Sequence, residues 1–350
     1  MDAKHNYRLG VVLKDVEPTH EAIKQLLRLA ASQSTIRAFV KRYSSTEEPN
    51  SLGIESVYFC GGRDDPLFGL AETDGLVILY DGDLSKTAID RAVQYKVLFV
   101  LAFHGGFDVH AKAFGQSEIC YTVAAISKAA GVLVFTQTTR AKVEKLGLET
   151  PIVTARIPFD LSLIRDTSSA SLWDIAFIGR PIPKKGLKHL LGAMKLLPSK
   201  WHLNVVGSAS HQVESHHAEP ESYRATYHGY LSLSQTLDVL GRSAYLVCPS
   251  VRTDDGDDEG IPQVLLWGMA SGKPIVASAT GSIPEIIAHG STGLLVPPGD
   301  SKAIADALIT LDRDPGLRER IRQGAIDHTR TYSSGLSVDT ISHVLSLLRN

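Results

Sequence analysis

The chain has 350 residues, of which 43% are hydrophobic and 21% are charged. This length suggests two domains, and the composition is that of a globular protein rather than a disordered one. Lys and Arg total 36 against 38 Asp and Glu; residues 1–160 contain 18 and 19 of these, as do the residues that follow. Neither half has the positive excess of a basic nucleic-acid-binding arm, so we expect no nucleic-acid partner.

Cysteine content and apolar runs favour a soluble protein of a reducing compartment. The three cysteines, Cys60, Cys120 and Cys248, are odd in number and far apart, which supports neither a disulfide framework nor a zinc knuckle. The N-terminus is too polar for a signal peptide, and the longest apolar run, residues 97–103, is too short to span a bilayer. We therefore expect a cytoplasmic location.

In the first half, short apolar runs alternate with amphipathic segments. The runs are typical of buried strands and lie at residues 9–13, 57–60, 76–80, 97–101 and 132–135. Helices are predicted over residues 20–31 and 136–146.

After residues 151–160 the same pattern begins again. Strands are predicted at 175–178, 203–206, 245–248, 275–277 and 294–296, with helices at 188–197, 232–241, 262–271 and 301–312. Because the runs lack polar alternation, they indicate parallel sheets covered by helices on both faces. The predicted fold class is α/β, with two doubly wound, Rossmann-like domains that hold a ligand in a cleft between them.

The strand at 175–178 is followed by Gly179-Arg180-Pro-Ile-Pro-Lys184-Lys185-Gly186 and then by a helix. A helix N-terminus with Arg180 and Lys185 nearby is suited to a diphosphate. The segment contains neither a P-loop nor the Gly-x-Gly-x-x-Gly fingerprint, so it indicates neither an ordinary ATPase nor a nicotinamide dehydrogenase. A solvated basic turn is the alternative.

The strand at 245–248 runs into an acidic segment, residues 254–259, which Gly260-Ile261-Pro262 connects to a helix. Pro262 suits the first helical position. A carboxylate such as Glu259 just before a helix can accept hydrogen bonds from sugar hydroxyls. An EF-hand register starting at Asp255 fails, because Leu266 falls where the bidentate Glu is needed. The alternative interpretation of this segment is a solvated acidic loop.

Three further groups of residues have side chains that are suited to chemistry. His104 follows the strand at 97–101 beside two glycines, where a cleft ligand can lie, although a structural or exposed histidine is the alternative. A histidine-rich stretch has no compact metal-site spacing and is read as a solvated loop: His211, His216 and His217. A basic group allows weak peripheral contact with anionic lipid, but a solvated helix face is favoured: Arg28, Arg37, Lys41 and Arg42.

Taken in order, these segments resemble the retaining GT-B glycosyltransferases, in particular glycosyltransferase family four (glycosyl transferases group 1). The resemblance is dense in the second half, where it covers residues 177–187, 248–262, 269–278, 281–285 and 293–300. In the first half it is looser, through residues 103–105, 136–146 and 157–160. The glycine-rich loop often found after the first strand is absent at Lys14-Asp15-Val16.

The resemblance implies specific roles for the residues that match its motifs. Arg180 and Lys185 would neutralise the donor diphosphate without a metal ion, and Glu259 would hold sugar hydroxyls. His104, from the opposite domain, would contact the sugar near the reacting carbon. The remaining donor-binding residues would be Gly260, Ile261, Pro262, Trp267 and Glu285.

One position departs from the family pattern. A second glutamate usually stands eight residues after the first, where this chain has Trp267. That carboxylate accepts hydrogen bonds from the nucleotide ribose, whereas an indole has one N–H and no acceptor. We expect Trp267 to pack against the nucleotide or its sheet while another residue takes over the ribose, and we predict that Trp267→Glu keeps or improves sugar-nucleotide affinity.

The resemblance implies an enzyme that transfers a sugar from a nucleotide-diphosphate sugar to a hydroxyl acceptor with retention, using no metal and no cofactor, and a UDP-sugar is favoured as donor. The domains would be residues 1–160 on the acceptor side and 161–334 on the nucleotide-sugar side, with a helix at 335–350 packing back on the first domain. A non-catalytic or weakly catalytic sugar-nucleotide-binding protein is the alternative. A GT-B epimerase or phosphorylase is weaker, because phosphorylases are much longer.

Overall fold

The computed structural model describes residues 7–16, 27, 31, 34–43, 48–52, 54–59, 70, 72–80, 82–103, 116–157, 161, 164, 172–207, 224–254, 256–333 and 338–349. The chain divides into two compact units. Unit 1 consists of Met1–Phe159 and Tyr332–Asn350, and unit 2 is Asp160–Thr331.

Unit 1 contains a parallel sheet whose strands lie in the order β3-β2-β1-β4-β5-β6-β7. Its strands are β1 (Arg8–Val16), β2 (Thr35–Tyr43), β3 (Ile54–Phe59), β4 (Gly75–Leu79), β5 (Phe99–Phe103), β6 (Gly131–Val134) and β7 (Ile152–Thr154). The helices of this part are α1 (Gly82–Tyr95), α2 (Gln116–Lys128) and α3 (Gln137–Glu144). The strands β4, β5 and β6 are buried along their whole length, which explains why they read as unbroken apolar runs.

Unit 2 contains a second parallel sheet, in the order β10-β9-β8-β11-β12-β13. Its strands are β8 (Asp174–Ile178), β9 (His202–Val206), β10 (Ala225–Gly229), β11 (Tyr245–Cys248), β12 (Ile275–Ser278) and β13 (Leu294–Val296). The helices are α4 (Leu187–Leu196), α5 (Leu233–Arg242), α6 (Gln263–Ala270), α7 (Ser301–Arg313) and α8 (Pro315–Ser333), the last of which runs into unit 1. Counted from its first strand, this is the 3-2-1-4-5-6 order of the Rossmann fold.

The core of unit 2 lies where α4 and α7 pack together against the sheet. Trp201 and Tyr245 are fully buried there, with ring centroids 5.2 Å apart. Burial of such large apolar side chains is the main source of folding free energy, at about 25 cal/mol per Å² of apolar surface. The sheet that carries the loops described below is therefore a rigid support.

The last helix, α9 (Val338–Leu347), belongs to unit 1 and packs against β6 and β7. Its end is tied to the start of β1, since the Tyr7 hydroxyl lies 3.1 Å from the carbonyl oxygen of Leu348. Among the described residues, no helix has both the length and the apolar character needed to cross a bilayer.

The predicted α/β class with two doubly wound units is confirmed, but the prediction missed three strands. β7 has only three residues, and β10 is an edge strand with few apolar residues. β2 was missed because cations interrupt its apolar pattern. Arg37, Lys41 and Arg42 lie in β2 and not on a helix face, so that interpretation is wrong. The guanidinium of Arg37 contacts Glu72 at 2.9 Å and Glu55 at 3.5 Å, which explains how a strand carries this charge.

Some expectations fall on parts of the chain outside the described residues. These are most of the helix predicted at 20–31, the whole histidine-rich stretch, Cys60 and His104.

Candidate functional site

The strand order of unit 2 reverses between β8 and β11, which lie next to each other in the sheet. In open α/β sheets, ligands bind outside the carboxyl ends of the strands at this switch point. The loop after β8 carries the basic segment singled out from the sequence, and the loop after β11 carries the acidic one. Topology therefore brings the two segments to the same edge of one sheet.

The basic loop forms a 3₁₀ turn, Pro183–Lys185, that ends at Gly186. Gly186 has φ +67° and directly precedes α4. A Cβ atom at this position would overlap the carbonyl oxygen of Pro249 in the acidic loop. The glycine is therefore needed twice, for its left-handed backbone and for the close approach of the two loops.

Lys185 and Glu259 form the centre of the site. The Nζ atom of Lys185 lies 2.8 Å from Oε1 of Glu259, with 20% and 6% of the two side chains exposed. The hydroxyl of Ser250 donates to the same Oε1 at 3.1 Å. The nearly buried carboxylate of Glu259 is thus paired with an ammonium group that is partly accessible to solvent. A buried charge is tolerated when it is paired and hydrogen-bonded in this way.

The backbone of Glu259 is fixed from both sides. Its N–H donates to Oδ1 of Asp258 at 2.8 Å, and its carbonyl oxygen accepts from the N–H of Ser282 at 3.1 Å. Oδ1 of Asp258 also accepts from the Thr280 hydroxyl at 2.9 Å. Gly281, at φ +54°, lies so close that a Cβ would overlap the carbonyl oxygen of Glu259. The loop after β12 therefore supports the acidic loop from below.

Sequence reasoning did not assign a role to Asp258 or to Lys184, whose Nζ lies 2.8 Å from Oδ1 of Asp257. The sequence did show two signals that these residues could meet. A pair of lysines follows one strand, and an acidic segment follows the strand beside it in the sheet. The assignment of each carboxylate to its own partner requires the three-dimensional path of both loops.

Gly260, Ile261 and Pro262 connect Glu259 to α6. Gly260 and Pro262 are buried and Ile261 is half-buried. α6 begins at Gln263, so Pro262 is the N-cap, at φ −65° and ψ 117°, and not the predicted first helical residue. The difference is one residue, and the fixed φ of proline suits both positions.

Trp267 lies on α6 with 6% of its surface exposed. Its Nε1 atom is buried and has no hydrogen-bond partner among the described residues. The next residue, Gly268, packs so closely on the strands that a Cβ would overlap the end of the Leu246 side chain, which would have to shift. At the position where the family resemblance predicts a second carboxylate, this chain has an interior indole.

The other predicted site residues are placed less centrally. Arg180 follows β8 and is exposed. Glu285 is also exposed, at the end of the 3₁₀ turn Ile283–Glu285 that follows the Glu259-supporting residue Ser282. The structure thus brings Lys185 and Glu259 into contact, and the roles of Arg180, Glu285 and His104 stay predictions.

Cys248, the last residue of β11, lies behind the site. Its Sγ atom is 3.6 Å from the Ser250 hydroxyl. Burial raises the pKa of the Cys248 thiol to about 11, and the nearby carboxylate of Glu259 acts in the same direction. The thiol is therefore neutral at physiological pH and packs as an apolar group.

Comparison with known protein families finds a match to most of the second unit. Residues 173–314, which contain Lys185, Glu259 and Trp267, match the family described as "Glycosyl transferases group 1". The D-inositol 3-phosphate glycosyltransferase of Corynebacterium glutamicum (strain R) is 34% identical over 175 residues, which cover 45% of this chain and 40% of that protein. The amylovoran biosynthesis glycosyltransferase AmsK of Erwinia amylovora is 42% identical over 74 residues, covering 21% of this chain and 18% of that protein. The matched segments thus span less than half the length of these relatives.

Solved structures resemble the chain over nearly its whole length. Sucrose-phosphate synthase from Thermosynechococcus elongatus gives a TM-score of 0.77 at 16% identity, covering 98% of each chain. Anabaena HepE, solved in complex with UDP-glucose, gives a TM-score of 0.76 at 15% identity, covering 98% of this chain and 99% of that one. At such identities the likeness shows the fold, and the predicted GT-B fold is confirmed.

Proposed function

We propose that this protein, whose residues 173–314 match the glycosyl transferases group 1 family, transfers a sugar from a nucleotide-diphosphate sugar to a hydroxyl acceptor, with retention at the anomeric carbon and without a metal ion. The observation that carries the proposal is the contact between Lys185 and Glu259, 2.8 Å apart at the switch point of that unit. The pair offers a cation to a diphosphate and an acceptor to the hydroxyls of the sugar attached to it.

In the transfer, the bond between the anomeric carbon and the diphosphate oxygen breaks, the acceptor oxygen bonds to that carbon, and the proton of the acceptor hydroxyl passes to the leaving diphosphate or to solvent. Negative charge develops on the leaving diphosphate. A fixed ammonium group such as Lys185 stabilises this charge without reorganising during the reaction, and Arg180 can add to the effect. Glu259, held at both its backbone N–H and its carbonyl oxygen, would orient the sugar.

The partners of the acidic loop support the metal-independent form of the proposal. The carboxylates of Asp257 and Glu259 are paired with Lys184 and Lys185. The carboxylate of Asp258 accepts from a hydroxyl and from a backbone N–H. Each of these acids is thus engaged with a protein donor, and lysine ammonium groups supply the positive charge that a metal ion supplies elsewhere.

A UDP-sugar is the first donor to test, since HepE, a neighbour of the same fold, was solved with UDP and with UDP-glucose. We also propose a cytoplasmic location, because Cys120 and Cys248 are both free thiols.

The proposal is tested by thermal shift and isothermal titration with UDP, GDP and ADP, with and without an attached sugar. We expect one nucleotide diphosphate to raise the melting temperature in proportion to the logarithm of its concentration. Lys185→Ala should weaken its binding about tenfold or more. The exposed Lys188, three residues away, provides the matched control, and Lys188→Ala should bind as the wild type does. Equal binding by both variants would contradict the proposal.

A second candidate is a sugar-nucleotide-binding protein without turnover, and the observation that favours it is the interior indole of Trp267. Incubation of a bound donor with a panel of hydroxyl acceptors separates the two candidates. Release of the nucleoside diphosphate with a glycosylated product supports the transferase, and NMR of the product reports the anomeric configuration. Binding without consumption of the donor under any acceptor supports the second candidate.

A further inference from the structure

We infer that Lys184 is a positioning residue: through its ion pair with Asp257 it holds the acidic loop so that Glu259 meets the donor sugar. The inference rests on the function proposed above for Glu259. It concerns a lysine for which neither the sequence patterns nor the comparisons with relatives provide a role.

Lys184 fastens the loop after β8 to the loop after β11 at three points. Its Nζ atom lies 2.8 Å from Oδ1 of Asp257 and 3.4 Å from the carbonyl oxygen of Asp258. Its own carbonyl oxygen accepts from the N–H of Val251 at 2.9 Å. Both the main chain and the side chain of this residue are therefore engaged with the acidic loop.

Asp257 lies at the end of a closed turn, and this makes it an effective anchor point. Its carbonyl oxygen accepts from the N–H of Thr253 at 2.9 Å and from the Thr253 hydroxyl at 3.1 Å. The turn cannot open at this end without breaking these bonds. A displacement of Asp257 is thus passed to Glu259, two residues further along the chain.

Lys184 and Lys185 are neighbours in sequence, but each pairs with a different carboxylate of the acidic loop. Lys184 pairs with Asp257, whose side chain is 46% exposed, at the outer part of the loop. Lys185 pairs with Glu259, which is almost completely buried, at the inner part. Because Lys184 bonds to Asp257 and to a backbone carbonyl, and not to the Glu259 carboxylate, its removal should leave the inner pair intact but less well placed. A misplacement of about 1 Å can cost a reacting site about 100-fold in rate.

The test compares four variants of the full chain by titration with UDP and with UDP-glucose. These are Lys184→Ala, Asp257→Ala, Lys184→Arg and the exchanged pair Lys184→Asp with Asp257→Lys. The quantity measured is the ratio of the two dissociation constants, Kd(UDP)/Kd(UDP-glucose), which isolates the contribution of the sugar. The exposed Asp254 of the same loop provides the control variant Asp254→Asn.

A positioning role for Lys184 and a bulk charge effect predict different values of this ratio. A bulk charge effect would move UDP binding in opposite directions in Lys184→Ala and Asp257→Ala, because one variant removes a positive charge and the other a negative one, and would leave the ratio unchanged. If Lys184 positions Glu259, the ratio falls about tenfold in both variants and recovers in Lys184→Arg and in the exchanged pair. Once transfer is measured, kcat should fall in the same variants more than KM rises.

An unchanged ratio in both alanine variants, or changes of opposite sign, would overturn the inference. Should Lys184→Ala fail to fold, Asp257→Ala and the exchanged pair still decide the question. Failure of the proposed function has a different signature, because wild-type protein would then bind none of UDP, GDP and ADP, with or without an attached sugar, or Lys185→Ala would bind them as tightly as the wild type.

Discussion

The Glu259→Gln variant replaces a carboxylate by an amide. It separates the two roles proposed for the Lys185–Glu259 pair, which are diphosphate binding and sugar binding. Glutamine keeps the shape of the side chain and an oxygen that can accept from Lys185 and from Ser250, which lie 2.8 and 3.1 Å from Oε1 of Glu259. The change is therefore almost purely one of charge. We expect UDP to bind more tightly and the attached sugar to contribute less.

The magnitude follows from the distances. At an effective dielectric constant of about 20, a carboxylate and a phosphate about 6 Å apart, on either side of the Lys185 ammonium, repel by about 3 kcal/mol. Solvent at the partly exposed Lys185 screens part of this, so a gain of about 1–2 kcal/mol remains, equal to about 5- to 30-fold tighter UDP binding. A sugar hydroxyl loses about 1 kcal/mol when its charged acceptor becomes neutral.

The assay is isothermal titration of wild type, Glu259→Gln and Asp254→Asn with UDP and UDP-glucose at low and at high salt. The control removes the same formal charge from an exposed position of the same loop and should change either affinity by less than about twofold. Weaker binding of UDP in Glu259→Gln, or an equal gain in the control, would refute the assignment of this carboxylate to a place beside the diphosphate.

Three further predictions concern residues around the pair. Gly186→Ala should lower the free energy of unfolding in urea by about 2 kcal/mol or more and should bind UDP poorly. The control is Gly290→Ala, because Gly290 also has a positive φ but a Cβ there would meet nothing within 4 Å; this variant should lose about 1 kcal/mol and bind UDP normally. Equal losses in the two variants would contradict the contact between the two loops. Trp267→Phe should lower the free energy of unfolding by about 1–2 kcal/mol, because the smaller ring leaves a cavity, although the indole N–H gives up no bond among the described residues. Trp267→Glu should lower it by about 3 kcal/mol or more, and titration of the folded variant with UDP then tests the affinity predicted from the sequence. Burial raises the pKa of the Cys248 thiol to about 11, so the thiol contributes stability that is fully present below the unfolded-state pKa near 9. The free energy of unfolding of the wild type should therefore fall relative to that of Cys248→Ala as the pH rises from about 9 towards about 11. In native protein at pH 8, iodoacetamide should modify the exposed Cys120 and spare the buried Cys248, and equal labelling of the two thiols would refute the burial of Cys248.

The fold could be predicted because its strands are short apolar runs buried on both faces. β11 (Tyr245–Cys248) and β13 (Leu294–Val296) have the predicted bounds. β2 (Thr35–Tyr43) and β10 (Ala225–Gly229) could not be predicted in this way, because their pairing with neighbouring strands outweighs their weak apolar pattern. Arg37 in particular depends on carboxylates from Glu55 and Glu72, which are distant in sequence.

The site could be predicted as two segments but not as a set of bonds. The sequence places Lys185 and Glu259 after strands whose carboxyl ends meet, and this contact is present in the structure. The partners of Lys184 and Asp258 depend on how each loop folds back on itself, which no local pattern encodes. The interior position of Trp267 likewise follows from the packing of α6 on the sheet.

The most direct test of the account is a crystal structure of the protein with UDP-glucose. We expect the diphosphate within about 4 Å of the Lys185 ammonium and a sugar hydroxyl donating to Glu259. A nucleotide bound away from both residues, with the Lys185–Glu259 pair unchanged, would contradict the account.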